Sequence, residues 1–218
     1  MRVSYSSDGQ DLIVRTILNK DLGTYLDIGA SHPTHHSNTY LFYELGWEGV
    51  AVEPNVSVKR EWSRIRPRDK FYNKAFNGKS KKIKYFQHPS LSTLNSTSKL
   101  PTNSRGFEVE VGQITTTQIE TISGREIMEI SHSFDLVSID TEGSEFEILN
   151  DLFQLNFQFS VIVIEVSNIN LSRNLANNKI VELCDRFGFK PIAKTLHDLI
   201  LIDIRNELLG RFPKQMIE

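Results

Sequence analysis

Thr24-Tyr25-Leu26-Asp27-Ile28-Gly29-Ala30 is an apolar run of strand length that breaks at a glycine. That is the pattern of a buried strand entering a turn. Downstream, Ser31-His32-Pro33-Thr34-His35-His36 is a polar loop, and Ser37-Asn38-Thr39 offers helix N-cap residues ahead of Tyr40-Leu41-Phe42-Tyr43-Glu44-Leu45. Gly46 stands where a helix closes through a left-handed residue, and Gly49 to Val52 gives a second short strand ending in Glu53-Pro54-Asn55. The unit is βαβ.

The alternation continues to the end of the chain. Val58, Trp62 and Ile65 make one helical stripe stopped by Pro67. Lys70 to Phe76 reads as a third strand, Ile83 to Gln87 as an edge or hairpin strand, and Phe107 to Ile122 as an extended stretch. Phe134 to Ile139 is a buried strand ending at Asp140. Ser144 or a neighbour then caps a helix whose Phe146, Leu149 and Phe153 face inward. Val161 to Val166 is the next strand, with Glu165 near its end. Ile180, Leu183, Cys184 and Phe187 stripe a helix closed by Gly188. Phe189 to Lys194 and Leu199 to Ile204 read as a terminal antiparallel hairpin. The expected fold class is α/β, a three-layer doubly wound sandwich with a mostly parallel sheet and that hairpin at its end. Residues 1–218 are expected to form a single domain, with the polar loop 88–106 long enough to serve as a lid.

Composition agrees with a globular chain of 218 residues, 39% hydrophobic and 24% charged. No apolar run approaches the roughly 18 residues of a membrane span. The amino terminus lacks an apolar signal stretch. Cys184 is the only cysteine, which excludes an internal disulfide and a cysteine-built zinc site. The expected compartment is the cytoplasm. Between Lys59 and Lys84 eleven Lys/Arg residues face only Glu61 and Asp69, a local charge of +9 in a chain of net charge -2. Such a stretch fits an anionic partner, but it also fits a solvated helix followed by a lysine-guarded edge strand, and the second reading is favoured. Nucleic acid is therefore not an expected partner.

In a doubly wound sheet, ligands sit beyond the carboxyl ends of the strands. Gly29 admits a close backbone approach there, and Glu53, at the end of the second strand, can accept hydrogen bonds from both hydroxyls of a ribose. A dinucleotide needs further glycines for its pyrophosphate. This chain has none at Ser31-His32-Pro33, so S-adenosylmethionine is the expected cofactor. The alternatives are a nicotinamide-dependent oxidoreductase and a non-catalytic binding protein using the basic stretch.

Four segments carry a resemblance in order along the chain. Tyr25-Leu-Asp-Ile-Gly-Ala-Ser-His-Pro, Ser37-Asn-Thr-Tyr-Leu-Phe with Gly46-Trp-Glu-Gly, Val52-Glu-Pro-Asn, and Leu136-Val-Ser-Ile-Asp-Thr-Glu-Gly-Ser-Glu resemble the FkbM family of S-adenosylmethionine-dependent methyltransferases. Tyr5-Ser-Ser-Asp-Gly-Gln-Asp-Leu-Ile resembles that family's leading segment, with Ser7 and Gln10 where the family has Gln and Glu. The resemblance implies a class I methyltransferase fold and methyl transfer to a hydroxyl, here of a small-molecule or saccharide acceptor. It makes Asp27, Gly29, Ala30, Ser31, Asn38, Glu53, Pro54 and Asp140 cofactor contacts, with Ala75 and Phe76 lining the adenine.

The base that takes the hydroxyl proton is His32 or Asp140, with Glu142 orienting the substrate or assisting. Glu142 could equally cap the helix that follows it. A divalent metal on Asp140, Glu142 and Glu165, with nitrogens from His32, His35 and His36, is the disfavoured alternative, because the histidines lack helical ligand spacing.

Overall fold

The computed structural model describes residues 3–79, 81–88, 91–93, 115–166 and 178–205. The chain opens with α1 (Gln10–Leu18), β1 (Thr24–Ile28), α2 (Tyr40–Glu44), β2 (Glu48–Val52), α3 (Lys59–Ile65) and β3 (Lys70–Tyr72). Four strands and a short helix follow: β4 (Ala75–Phe76), β5 (Lys82–His88), β6 (Leu91–Thr93), β7 (Thr115–Ile122) and α4 (Gly124–Met128). The second half is β8 (Ser133–Ile139), α5 (Glu145–Gln154), β9 (Gln158–Glu165), α6 (Lys179–Arg186), β10 (Phe189–Lys194) and β11 (Asp198–Asp203).

Seven strands form the central sheet in the order β10-β11-β9-β8-β1-β2-β3. All neighbours from β9 to β3 pair in parallel, whereas β11 runs antiparallel to both β9 and β10. The last strand is thus inserted in reverse, as the terminal hairpin predicts.

Strand alternation sorts the two faces. Tyr25, Leu136, Val161, Val163 and Ile200 pack with Val14 and Leu18 of α1 and with Phe42 of α2. The intervening residues Leu26, Ile28, Val137, Ile162 and Leu201 pack with Leu149 and Leu152 of α5 and with Leu183 and Cys184 of α6. Phe146, expected inside, is only partly buried at the border of this second core.

Three expectations are refined. The strand expected over 70–76 is two: β3 pairs with β2, then the chain leaves the sheet and β4 pairs with β7. Of the two readings of Ile83 to Gln87, the hairpin holds: β5 pairs antiparallel with β6, and it lies between β7 and β6 in a second sheet of order β4-β7-β5-β6. Within loop 88–106, residues 91–93 are strand β6; most of that loop, and residues 107–114 of the expected stretch, lie outside the described residues.

The turn from β7 into α4 is closed by a reciprocal capping box. The Ser123 side chain accepts from the Glu126 N–H, and the Glu126 carboxylate accepts from the Ser123 N–H. Replacing Ser123 with alanine is expected to cost about 1 kcal/mol of stability, measured by urea unfolding.

Candidate active site

Hydrogen bonding continues past the ends of the parallel strands, locking their carboxyl edge. Gly29 N–H donates to Val52 O at 2.9 Å, Asp140 N–H to Ile28 O at 3.0 Å, and Glu53 N–H to Tyr72 O at 3.0 Å. Gly29 has φ +80°, and a Cβ placed there would lie 1.7 Å from the carbonyl oxygen of Asp140. The glycine is therefore demanded by the adjoining strand end, not by a ligand alone. Beyond it Ser31 (φ 47°) and, after β8, Glu142 (φ 57°) hold left-handed conformations. Non-glycine residues in that region carry backbone strain, and such strain gathers at functional loops.

Glu53 is 5% exposed. One carboxylate oxygen accepts from Ser31 N–H at 2.8 Å and the other from Asn55 N–H at 2.7 Å. Burial pushes its pKa up, while these two bonds favour the charged form. Each oxygen keeps a lone pair, so the group can still receive two hydroxyls.

Asp27 follows the alternation of β1 onto the α1–α2 face, and it is buried there. Its carboxylate accepts from the Thr39 hydroxyl at 2.5 Å, and burial raises its pKa, opposed by the nearby Arg66. Arg66 is 1% exposed and organises the whole loop after β1. Its guanidinium pairs with Asp69 at 2.7 Å and donates to Pro33 O, the Thr39 and Ser37 hydroxyls and the Tyr25 hydroxyl, at 2.8–3.4 Å. It also lies 4.3 Å over the Trp62 ring. A planar five-donor fork satisfied this fully can stay charged inside a protein. Asn38 reaches across to β8, its amide donating to the Ser138 hydroxyl at 3.2 Å.

His32 is held by its own loop and by α3. Its Nδ1 accepts from the backbone N–H groups of Thr34 (3.2 Å) and His35 (3.1 Å). Its Nε2 pairs with Glu61 of α3 at 3.0 Å. An Nδ1 that accepts two N–H bonds is unprotonated, so the Nε2 holds the proton and both nitrogens are engaged. Burial lowers its pKa.

Asp140, Glu142 and Glu165 converge where β8 and β9 end, each offering an oxygen within 4.8 Å of the others. They are the one group of three or more acidic, histidine or cysteine ligands this close among the described residues, and no histidine belongs to it. Asp140 is solvent-accessible, yet its carboxyl pKa is driven well up by desolvation and by Glu165. Glu165 is pushed up to about 8, first by burial and then by Glu142, Glu145 and Asp198. Carboxyl oxygens this close favour keeping a proton on the pair, since two full negative charges would repel. Burial and Glu145 raise Glu142 as well.

Glu145, the first residue of α5, fixes the turn before the helix: it accepts from the N–H groups of Thr141 (2.9 Å) and Gly143 (2.9 Å) and from the Thr141 hydroxyl. Ser144, expected to cap α5, makes no side-chain cap bond. Ala75 and Phe76 are buried as β4, with Phe76 in the core beside Ile122 and Ile127. Asn73, three residues before Phe76, stands at the edge, its amide donating to Glu53 O at 2.8 Å. Ala30 and Pro54 are buried beside Glu53.

Sequence reading missed the part played by the leading segment. Gln10 is 1% exposed and donates to Asp198 and to the Thr195 hydroxyl, while Ser7 meets His36 Nδ1 at 3.0 Å. Asp8 pairs with His197 at 3.3 Å. Residues 7–10 thus bridge the loop after β1 and the turn before β11. Asp11, in the first turn of α1, accepts from Ser4, Tyr5 and Ser6 and fixes that bridge.

A parallel sheet with one reversed strand, and acids gathered at the carboxyl ends of its central strands, defines the class I methyltransferase architecture. The chain belongs to the FkbM methyltransferase family: the Methyltransferase FkbM domain matches residues 27–198. Methyl transfer takes the place of the nicotinamide alternative. Among curated proteins none matches the sequence. Similar solved structures include a Methanococcus jannaschii fibrillarin pre-rRNA processing protein, at 14% identity and TM-score 0.45 over 84% of this chain and 67% of that one. A precorrin-6y C5,15-methyltransferase from Geobacter metallireducens is 13% identical, with TM-score 0.41 over 88% and 84%. Burkholderia thailandensis 1,6-didemethyltoxoflavin-N1-methyltransferase, solved with S-adenosylhomocysteine, is 13% identical, with TM-score 0.42 over 88% and 74%. Among the described residues no helix is long and apolar enough to cross a membrane.

Proposed function

We propose that this chain transfers the methyl group of S-adenosylmethionine to a hydroxyl oxygen, with a saccharide or a hydroxylated secondary metabolite as acceptor. The observation that carries the reading is the Asp140–Glu165 carboxyl pair, close together where β8 and β9 end beside Gly29. The cofactor supplies an electrophilic methyl group on a positively charged sulfur. Glu53 receives the ribose hydroxyls, the Gly29-Ala30-Ser31 backbone and Pro54 wall the cofactor, and Asp27 positions Thr39 and its loop. Asn38 ties that loop to β8.

An alcohol hydroxyl is a poor nucleophile until its proton is taken, and a carboxylate of raised pKa is a stronger base for it. Asp140 takes the proton, Glu165 shares it, and Glu142 orients the acceptor. With both His32 nitrogens engaged, Asp140 is the stronger of the two candidate bases.

Glu53→Ala is expected to weaken S-adenosylmethionine binding at least tenfold, about 1.4 kcal/mol, in a calorimetric titration. Glu53→Gln, which keeps one acceptor oxygen, should lose less. Wild-type affinity in Glu53→Ala would refute the ribose assignment. A second reading rests on the same three carboxylates, since an all-oxygen set suits a hard divalent cation. Turnover abolished by EDTA and restored by Mg²⁺ would favour it over the base.

A further inference from the structure

The basic stretch between Lys59 and Lys84 plays no part in the methyl-transfer reading, and the fold divides it. Arg66 is internal, and Arg68 stacks 3.8 Å over the Tyr43 ring while donating to Tyr43 O. Lys59, Arg60 and Arg64 lie exposed along α3. Lys74, Lys79, Lys81 and Lys82 instead surround a cavity of about 490 Å³ between the end of β4 and the start of α4.

Two carboxylates share that lining, and both are committed. Glu120 lies 3.6 Å from Lys74 and directly opposite Lys82 in the β5–β7 register. Glu126 is held by the Ser123 N–H and hydroxyl, both at 2.8 Å. Lys79 and Lys81 are exposed and make no direct ion pair among the described residues, although Lys81 acts on Glu126 and Lys79 on Asp151 from a distance. The cavity therefore carries a net positive charge, with amide and hydroxyl groups of Asn77 and Thr121 on its wall. It is also removed from the reacting edge. Asp151, nearly two turns of α5 below that edge, packs against Gly78 and Gly124 at the cavity's margin.

Guarding a sheet edge does not account for Lys74, Lys79 and Lys81, which lie outside β5. Nor do they serve an extended single strand of nucleic acid, which needs exposed aromatic platforms. Trp62, Phe76 and Tyr85 are buried, and Phe71 is stacked on Trp62 at 5.0 Å.

We propose that this cavity is a second binding site, which takes the phosphate or pyrophosphate group of a small phosphorylated compound. Lysine ammonium groups bind phosphate as point charges without fixed geometry, so three or four converging on one recess suffice for recognition. The site is independent of the cofactor and acceptor at the carboxyl edge.

The test is a calorimetric titration of the full chain with inorganic pyrophosphate at 0.15 M salt. Saturable one-to-one binding is expected, weakened at least tenfold in Lys79→Glu/Lys81→Glu. Lys59→Glu/Arg60→Glu makes the same charge change on α3 and should alter affinity less than twofold. Lys79→Ala/Lys81→Ala should weaken binding in the same direction, and all three pairs, being exposed, should keep the wild-type thermal midpoint. Non-saturable binding, or equal losses in the cavity and α3 pairs, would reduce the lysines to diffuse attraction and overturn the site. So would tighter binding of a single-stranded oligonucleotide than of pyrophosphate.

Discussion

Gly29→Ala is expected to lower the thermal midpoint by about 6–12 °C, from a loss of about 3 kcal/mol in a chain of this size. Two costs add. A left-handed φ of +80° costs a residue with a Cβ about 1–2 kcal/mol. The new methyl would also lie 1.7 Å from the Asp140 carbonyl oxygen, and forcing atoms into a closed contact costs about 1–3 kcal/mol. The neighbour cannot move away freely, because Asp140 N–H is bonded to Ile28 O in the adjacent ladder. Gly46→Ala separates the terms. Its φ is +93°, but a Cβ there meets only the end of the Leu22 side chain, at 3.3 Å. It should lose about half as much. Equal losses at the two positions would show that the strand ends do not approach as described.

The doubly wound sheet could be read from the sequence because its strands are buried on both faces, as Leu26 to Ile28 and Val161 to Ile164 show. Their apolar runs end at punctuating residues, Gly29 and Glu165. Glu53 and Asp140 were legible for the same reason, being the first polar residues after such runs. Arg66 was not. In sequence it is one of eleven cations, and only the fold reveals that Tyr25, Thr39 and Asp69 meet it from three separate segments. The split of 70–76 was hidden because Asn73 and Lys74 do not break an extended pattern, although the Asn73 amide caps Glu53 O and redirects the chain. Gln10 was hidden by distance, its partner Asp198 lying 188 residues away.

The carboxyl pair makes the other large prediction, on activity and on stability together. Asp140→Asn should reduce turnover about 10²–10⁴-fold, the range for a lost general base, with cofactor affinity changed far less. In the wild type, turnover should rise with pH towards about 8, where Glu165 gives up its proton. Stability should move the opposite way. The folded-state pKa of Glu165 lies above its ordinary 4.5, so the folded protein binds the proton more tightly than the unfolded chain does. That contribution is complete below about pH 4.5 and is lost as pH rises through about 8. Asp140 is shifted the same way, by the same burial and by Glu165 itself. The thermal midpoint of the wild type should therefore fall between pH 5 and pH 9, and Glu165→Gln, which removes the charge and keeps the shape, should flatten that fall. At pH 9 the variant should be the more stable protein and the less active one, because the desolvated Glu165 charge that strains the fold is also the partner that makes Asp140 a stronger base. A variant no more stable than wild type at pH 9 would mean that the pair is not desolvated, and the assignment of the base would fall with it.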